Sequence, residues 1–222
     1  MDFLDDITLT GVALTLAAAL GSYLLGAVPI GLLVGKVFGN VDVRESGSGR
    51  TGATNVLRTL GWKAAVPVVL LDLFKGSVAV IVSGFIADTP GEVAGAVAVV
   101  VGHSRSVFIG FGGGRGVIPA GGAALALVWP AAIIGTIVGI LIIALTRYVS
   151  LGSLLGTVTC VGIMVAFAVL GLAPPFLEVV PFIVGPLALV GGAIIIYAHR
   201  DNIQRLIRGT ERRFGQPAEP TG

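Results

Sequence analysis

The run Val117–Thr146, VIPAGGAALALVWPAAIIGTIVGILIIALT, decides how this chain is folded. It holds no charged residue, so it belongs in hydrocarbon, yet a membrane span needs about 20 apolar residues. The run is too long for one span and too short for two full ones. Pro130 behind Trp129 marks a hairpin point, because proline breaks the helical hydrogen-bond ladder. Splitting there gives seven spans in the chain, roughly 9–37, 64–87, 93–109, 117–129, 131–146, 154–172 and 179–198; leaving it whole gives six.

Charge placement favours seven. With the N-terminus outside, the inner segments are 38–63, 110–116, 147–153 and 199–222. Together with Lys36 and Arg105 at span ends, they hold every Lys and Arg except Lys75. The outer segments carry Asp2, Asp5, Asp6, Asp88, Glu92 and Glu178 and no cation, as the positive-inside rule requires. Composition agrees: 55% of the 222 residues are hydrophobic and only 12% charged, with a mean hydropathy of +1.00, where a soluble domain carries about a quarter charged residues. The expected fold is all-α, a polytopic membrane helix bundle of seven transmembrane helices with a cytoplasmic C-terminus. It forms one domain over 1–215, with a disordered tail at 216–222. The acidic start, MDFLDD, is unlike the basic start of a cleaved signal peptide. Cys160 is the only cysteine, and the two histidines are far apart, which excludes an intrachain disulfide and disfavours a Cys- or His-rich metal site.

Polar chemistry gathers on the inner face in four places. Glu45–Trp62, ESGSGRTGATNVLRTLGW, packs Ser48, Thr54, Asn55 and two arginines, Arg50 and Arg58, among four glycines. Successive backbone N–H groups in such a turn form an anion-binding concavity, and a short helix over Asn55–Leu60 adds its dipole. The bland reading is a solvated loop whose cations only obey the orientation rule. The second place is 102–117, GHSRSVFIGFGGGRGV, where glycines frame Arg115 just before a span. It lacks the G-x-x-x-x-G-K-[ST] pattern, so nucleotide binding is disfavoured. His103 is here either a hydrogen-bonded structural residue or a catalytic one. The third is 147–153, RYVSLGS, with Ser150 and Ser153 on one helical face, or else a helix cap with a basic anchor. The fourth is 199–215, HRDNIQRLIRGTERRFG, whose basic amphipathic pattern suits an anionic leaflet but leaves His199 and Asn202 unexplained. Glu211 reads as an ion-pair partner. Asp72 and Lys75 sit i,i+3 inside a span, where charges are expensive and are expected to pair; they read as support for the first motif.

Guanidiniums with Gly-rich backbone suit phosphate, and no carboxylate cluster is available for Mg²⁺. Acyl or glycosyl transfer onto a phosphorylated acceptor fits. The H-x-x-x-x-D pattern of common glycerolipid acyltransferases is absent. A secondary transporter or channel for a phosphorylated solute is the alternative, although the polar residues cluster at one face and the halves show no repeat. A non-catalytic scaffold whose tail binds anionic lipid is a further one.

GSGRTGATNVLRTLG, GFGGGRGV and HRDNIQRLIRGTE, in this order and on one side of the membrane, resemble the signature regions of the bacterial acyl-phosphate:glycerol-3-phosphate acyltransferases. The resemblance runs from about Gly21 to Phe214. It implies transfer of a fatty acyl group from acyl phosphate to the sn-1 hydroxyl of glycerol 3-phosphate, giving lysophosphatidate and inorganic phosphate, the first step of phospholipid synthesis, in the bacterial inner membrane with the site facing the cytoplasm. It implies fatty acyl phosphate, glycerol 3-phosphate and the lipid bilayer as partners, no nucleic acid, no cofactor and no metal; the oligomeric state is not legible, and a monomer is compatible with it. Carried over by position, Ser48, Arg58, His199 and Asn202 are the catalytic candidates. Thr54, Asn55, Gly113, Gly114, Arg115, Gly116, Ser150 and Ser153 are the substrate- and phosphate-binding ones. Arg50, His103 and Arg205 are further candidates, and Asp72, Lys75 and Glu211 are structural support. The chain departs from the family pattern in Arg50-Thr51 for Asn-Pro, in Arg115 for Lys, in Ser104-Arg105-Ser106 after His103, and in Ile118-Pro119 for Ala-Thr. For mechanism, the expectation is direct attack of the acceptor hydroxyl on the acyl carbonyl, with the departing phosphate rather than His199 taking the proton.

Overall fold

Proline and glycine divide the apolar runs into helices. The computed structural model describes residues 8–171 and 181–216. Asp2, Asp5, Asp6 and Glu178 of the expected outer face, and 217–222 of the expected tail, lie outside them. Helix α1, Leu9–Ala27, is capped by Thr8 Oγ1 accepting from Gly11 N–H at 3.0 Å. The chain breaks at Val28–Pro29 and resumes as α2, Ile30–Gly39. The expected first span 9–37 is therefore interrupted, because Pro29 offers no N–H to continue the ladder. A 3-10 turn at Val43–Glu45 and the Gly-rich loop lead to α3, Ala53–Leu60, matching the expected short helix. Gly61, at φ 81°, turns the chain directly into α4, Trp62–Ser104.

Helix α4 is two antiparallel arms joined at Ala87–Asp88, where Asp88 takes φ 47° two residues before Pro90. Lys75 on the first arm meets His103 on the second. Ser83 lies against Gly91 and Gly95, where a Cβ would collide with it. Helix α1 lies along this hairpin: Ser22 Oγ is 2.8 Å from Ser83 Oγ, Gly26 rests on Val99 and Gly102 on Tyr23. Helix α5, Val117–Thr146, is broken at Val128, two residues ahead of Pro130. Its first arm packs through Pro119 and Gly122 on Gly76 and Leu73 of α4. Its second arm uses Gly135 and Gly139 against Gly152 and Gly156 of α6, Val149–Leu170. Paired glycines at four-residue spacing let the two backbones approach closely, as in membrane bundles. Helix α7, Pro181–Ala198, and α8, Arg200–Ile207, follow, bent by 59° at His199.

Among the described residues four helical stretches (Leu9–Gly39, Trp62–Ser104, Val117–Thr146 and Val149–Leu170) are long and apolar enough to cross a membrane, and the bent pair of α7 and α8 makes a fifth. Large side chains such as Leu16, Leu20, Phe74, Phe85, Leu145 and Val169 face outward, as in a protein surrounded by lipid. The interior is built of Ala, Val and Gly, with Val99, Val128 and Ala131 fully enclosed. A smaller apolar cluster of Val34, Val43, Ala53, Val56, Ala64 and Val68 pins the first Gly-rich loop to α2 and α4. Among the described residues there is no strand, and one isolated bridge, Ser106 with Gly112, closes the second loop.

A candidate anion site at one end of the bundle

Both ends of α5 return to the same end of the bundle, because Gly116 touches Ser104 and Ile195 while Ser150 reaches the tail. That end gathers all four sequence motifs. In the first, Asn55 is 2% exposed. Its Nδ2 donates to the carbonyls of Val43, Ser46 and Arg50 at 2.6, 3.1 and 2.9 Å, and its Oδ1 accepts from Ser48 N–H at 2.9 Å. Both ends of the Asn55 amide hold the loop shut, so the residue expected to bind phosphate has a scaffold role in this loop. Ser48 and Thr54 remain partly exposed on the loop so formed. Arg58 projects from the last turn of α3 toward Glu211, Arg212 and Arg205; burial lowers its pKa and the Glu211 carboxylate partly restores it.

In the second loop, Gly114 N–H donates to His103 C=O at 3.0 Å, and the His103 ring lies where a Gly114 Cβ would be. Lys75 Nζ lies 3.1 Å from His103 Nδ1, 2.7 Å from Asp72 Oδ1 and 3.2 Å from the Val28 carbonyl it donates to. His103 Nδ1 also lies 3.5 Å from Asp72 Oδ1. The Asp72–Lys75 pair thus supports the second loop and the α1–α2 break rather than the first motif, and His103 is the third member of that network. Arg115 is half-buried. Burial, then the charges of Arg50 and Arg205, lower its pKa to about 10, with Glu211 and Asp201 opposing. Its Nε is buried without a hydrogen-bond partner.

The tail completes the cluster. Glu211 Oε1 accepts from Ser150 Oγ at 2.7 Å and from Asn202 Nδ2 at 2.6 Å, and Oε2 from Arg205 Nε at 2.8 Å. Burial pushes the Glu211 carboxyl up, but the three hydrogen bonds outweigh it and hold the pKa below the ordinary range. Asn202 Oδ1 is left buried with no partner. His199, 2% exposed, has Nδ1 at 2.9 Å from Ile195 C=O. Burial, reinforced by Arg115 and Arg50 and only partly offset by the Ile195 carbonyl and Glu211, lowers its pKa to about 4. The ring is neutral at pH 7 with Nε2 as its acceptor.

Two serines expected on one face go separate ways. Ser150 serves Glu211, whereas Ser153 lines an apolar cavity of about 390 Å³ between α4, α5, α6 and α7. The segment 147–153 is also not a loop: the turn is Arg147–Tyr148, and both serines lie on the first turns of α6. The cavity begins beside Val117 and Ile195 and ends at Met164 and Leu127, about 16 Å from Ser153 along α6 at a helical rise of about 1.5 Å per residue. Sequence reasoning missed it, although the Gly135, Gly139, Gly152 and Gly156 spacing signals space between two helices. It also missed Asp201, whose Oδ2 is 3.5 Å from Arg50. Helix α8 ends at Ile207, and the tail then straps onto the α5–α6 turn, with Phe214 N–H donating to Arg147 C=O at 2.6 Å. Among the described residues no group of three His, Cys, Asp or Glu side chains could hold a metal ion.

A bundle of helices long and apolar enough to cross a membrane, with a cationic cluster at one end and an apolar cavity between its helices, defines a multi-pass membrane protein. Residues 16–209 match the family described as glycerol-3-phosphate acyltransferase. The chain is 46% identical over 201 residues to the glycerol-3-phosphate acyltransferase of Synechococcus sp. (strain JA-3-3Ab), covering 90% of this chain and 94% of that one. It is 42% identical over 200 residues to a glycerol-3-phosphate acyltransferase of Thermus thermophilus, covering 89% and 94%. It resembles crystal structures of PlsY (YgiH), an integral membrane glycerol 3-phosphate acyltransferase. Against the glycerol 3-phosphate form the TM-score is 0.79 at 37% identity, over 90% of this chain and 96% of that one. Against the lysophosphatidic acid form it is 0.78 at 37% identity, over 90% and 95%. The chain belongs to the glycerol-3-phosphate acyltransferase family and is an acyltransferase.

Proposed function

We propose that the chain transfers a fatty acyl group from acyl phosphate to the sn-1 hydroxyl of glycerol 3-phosphate, releasing lysophosphatidate and inorganic phosphate. The observation that carries this is the junction between the Arg58–Arg115–Arg205 cluster and the apolar cavity. A phosphate can sit in the first while an acyl chain enters the second. The cavity's length of about 16 Å is close to one leaflet, half of the roughly 30 Å hydrocarbon core. PlsY has been captured with the acceptor and with the lysophosphatidic acid product, which supports the same pair of ligands here.

In the proposed step, the sn-1 oxygen forms a bond to the acyl carbonyl carbon, the carbonyl carbon–phosphate oxygen bond breaks, and phosphate leaves carrying the hydroxyl proton. Arg115 and the Gly113–Gly116 backbone oppose the charge that builds on carbonyl and phosphate oxygens. A His199 with a pKa of about 4 is a poor base at neutral pH, whereas a phosphate with a second pKa of about 6 is a better one. His199 Nε2 and the unpartnered Asn202 Oδ1 are instead acceptors that align the attacking hydroxyl. Ser48, Thr54 and Arg58 border the acceptor.

The breaks at Ala87–Asp88 and Val128 divide α4 and α5 into two spans each. With α1, α6 and α7 this supports seven spans, an outer N-terminus and a site facing the cytoplasm of a bacterial inner membrane. Detergent-purified chain given palmitoyl phosphate and glycerol 3-phosphate is expected to release phosphate in step with lysophosphatidate. Turnover with acyl-CoA or acyl carrier protein but not with acyl phosphate would overturn the choice of donor, and a trapped acylated serine would overturn direct transfer.

A further inference from the structure

A second, smaller cavity of about 190 Å³ lies in the seam between the end of α4 and the α7–α8 bend. Arg50, Arg105 and Arg200 line it, together with Ser104. Asp201 is the carboxylate recorded beside these arginines, 3.5 Å from Arg50 and 3.8 Å from Arg200, and nearly half exposed. Among the described residues Arg105 makes no ion pair. Three guanidiniums against one solvated carboxylate leave a cationic excess, and Arg115 stands close enough for Arg50 to depress its pKa. Ser104, 6% exposed, has its Oγ buried without a partner. A buried hydroxyl and facing guanidiniums left uncompensated are what a phosphate dianion satisfies. One of the arginines, Arg50, stands where the family pattern has Asn, so that cation belongs to this chain.

The rest of the lining says what carries that phosphate. Val101 and Ile194 form an apolar floor, and Tyr197, 60% exposed, packs under Arg200 with the guanidinium 4.8 Å from the ring centroid. Ile196 and Val190 face outward along the same helix. A basic, aromatic rim over an apolar floor at the end of a spanning helix suits an amphiphile at the membrane surface rather than a free anion.

We propose that the α4–α7 seam is a docking site for a long-chain amphiphile with a terminal phosphate, held by Arg50, Arg105 and Arg200, through which that lipid enters the bundle beside Arg115. This rests on the acyl-transfer reading only in identifying the amphiphile as acyl phosphate.

The test is calorimetric titration of the detergent-solubilised full chain with dodecylphosphonate and with methylphosphonate. Dodecylphosphonate is expected to bind at least tenfold more tightly. Arg105→Ala is expected to weaken it about tenfold, the loss of one charge-assisted hydrogen bond, and Arg105→Lys to recover part of that. In turnover assays the same variant raises KM for acyl phosphate and leaves KM for glycerol 3-phosphate within twofold. Equal binding of the two phosphonates would make this a site for free phosphate and overturn the proposal. So would unchanged dodecylphosphonate affinity in both Arg105→Ala and Arg50→Asn, or a parallel rise in KM for glycerol 3-phosphate. Arg105-dependent binding without acyl transfer from any donor would leave the docking site standing and sink the proposed reaction.

Discussion

The two glycine-rich loops look alike as sequences and differ in what they leave unfinished. In 45–61 the side chain of Asn55 consumes three carbonyls and one N–H, so the loop is closed by its own contacts. In 104–116 and the facing tail, Arg115 Nε, Ser104 Oγ and Asn202 Oδ1 are buried with no partner. Buried polar groups in folded proteins are nearly all satisfied, and an exception at a cleft marks the place of a ligand. One loop is closed on itself; the other leaves buried polar groups to be paired.

The sharpest way to break that contrast is Arg115→Ala. Turnover is expected to fall about 10²–10³-fold, the scale of losing one charge-stabilising donor, while the melting temperature stays or rises because a buried, uncompensated cation is gone. A melting temperature that drops with the activity would make Arg115 structural. Next is Asn55→Ala, expected to destabilise by about 2–4 kcal/mol as several buried backbone groups lose their partner, with activity falling only as far as the loop unfolds. Denaturant midpoints read it, and loss of glycerol 3-phosphate affinity at full stability would return Asn55 to the binding site.

Acid sensitivity is the third. His199 has a folded pKa of about 4 against 6.5 in the unfolded chain. The unfolded state therefore binds more protons between these values, and stability falls as pH drops through that window, by on the order of 2–3 kcal/mol. Glu211 acts below it: its lowered pKa contributes stability that is present above the ordinary carboxylate pKa and lost as pH falls through the folded value. His199→Gln is expected to flatten the melting curve between pH 6.5 and 4 and Glu211→Gln to flatten it lower, each followed by thermal unfolding against pH. The smallest effect is on rate: His199→Gln is expected to reduce turnover less than tenfold with the alkaline and acid limbs of the pH–rate profile in place. A loss of several hundredfold would make His199 the base.

Much of this was legible beforehand for physical reasons that are local. Proline positions marked the α5 break within two residues, and the isolated Asp72–Lys75 spacing predicted an ion pair. The Val28–Pro29 break was hidden inside a run that is apolar on both sides, where composition alone reads one span. His103 could not be assigned to Lys75 across 28 residues of sequence, nor Ser150 to Glu211 across 61, because helical spacing says which residues share a face and not what that face meets. Ser150 and Ser153 show this directly.

By itself the sequence determined that the chain lives in a bilayer, that its cations gather at one end, and that glycine and guanidinium there suit phosphate. Run length, charge and residue type are carried by the chain whatever its fold. Only the tertiary structure decided that Asn55 is spent on its own loop, that His199 is buried neutral, and that an apolar cavity opens between the helices beside Val117 and Ile195. Those outcomes depend on which groups burial leaves unpaired, and that is settled only when helices distant in sequence close on one another.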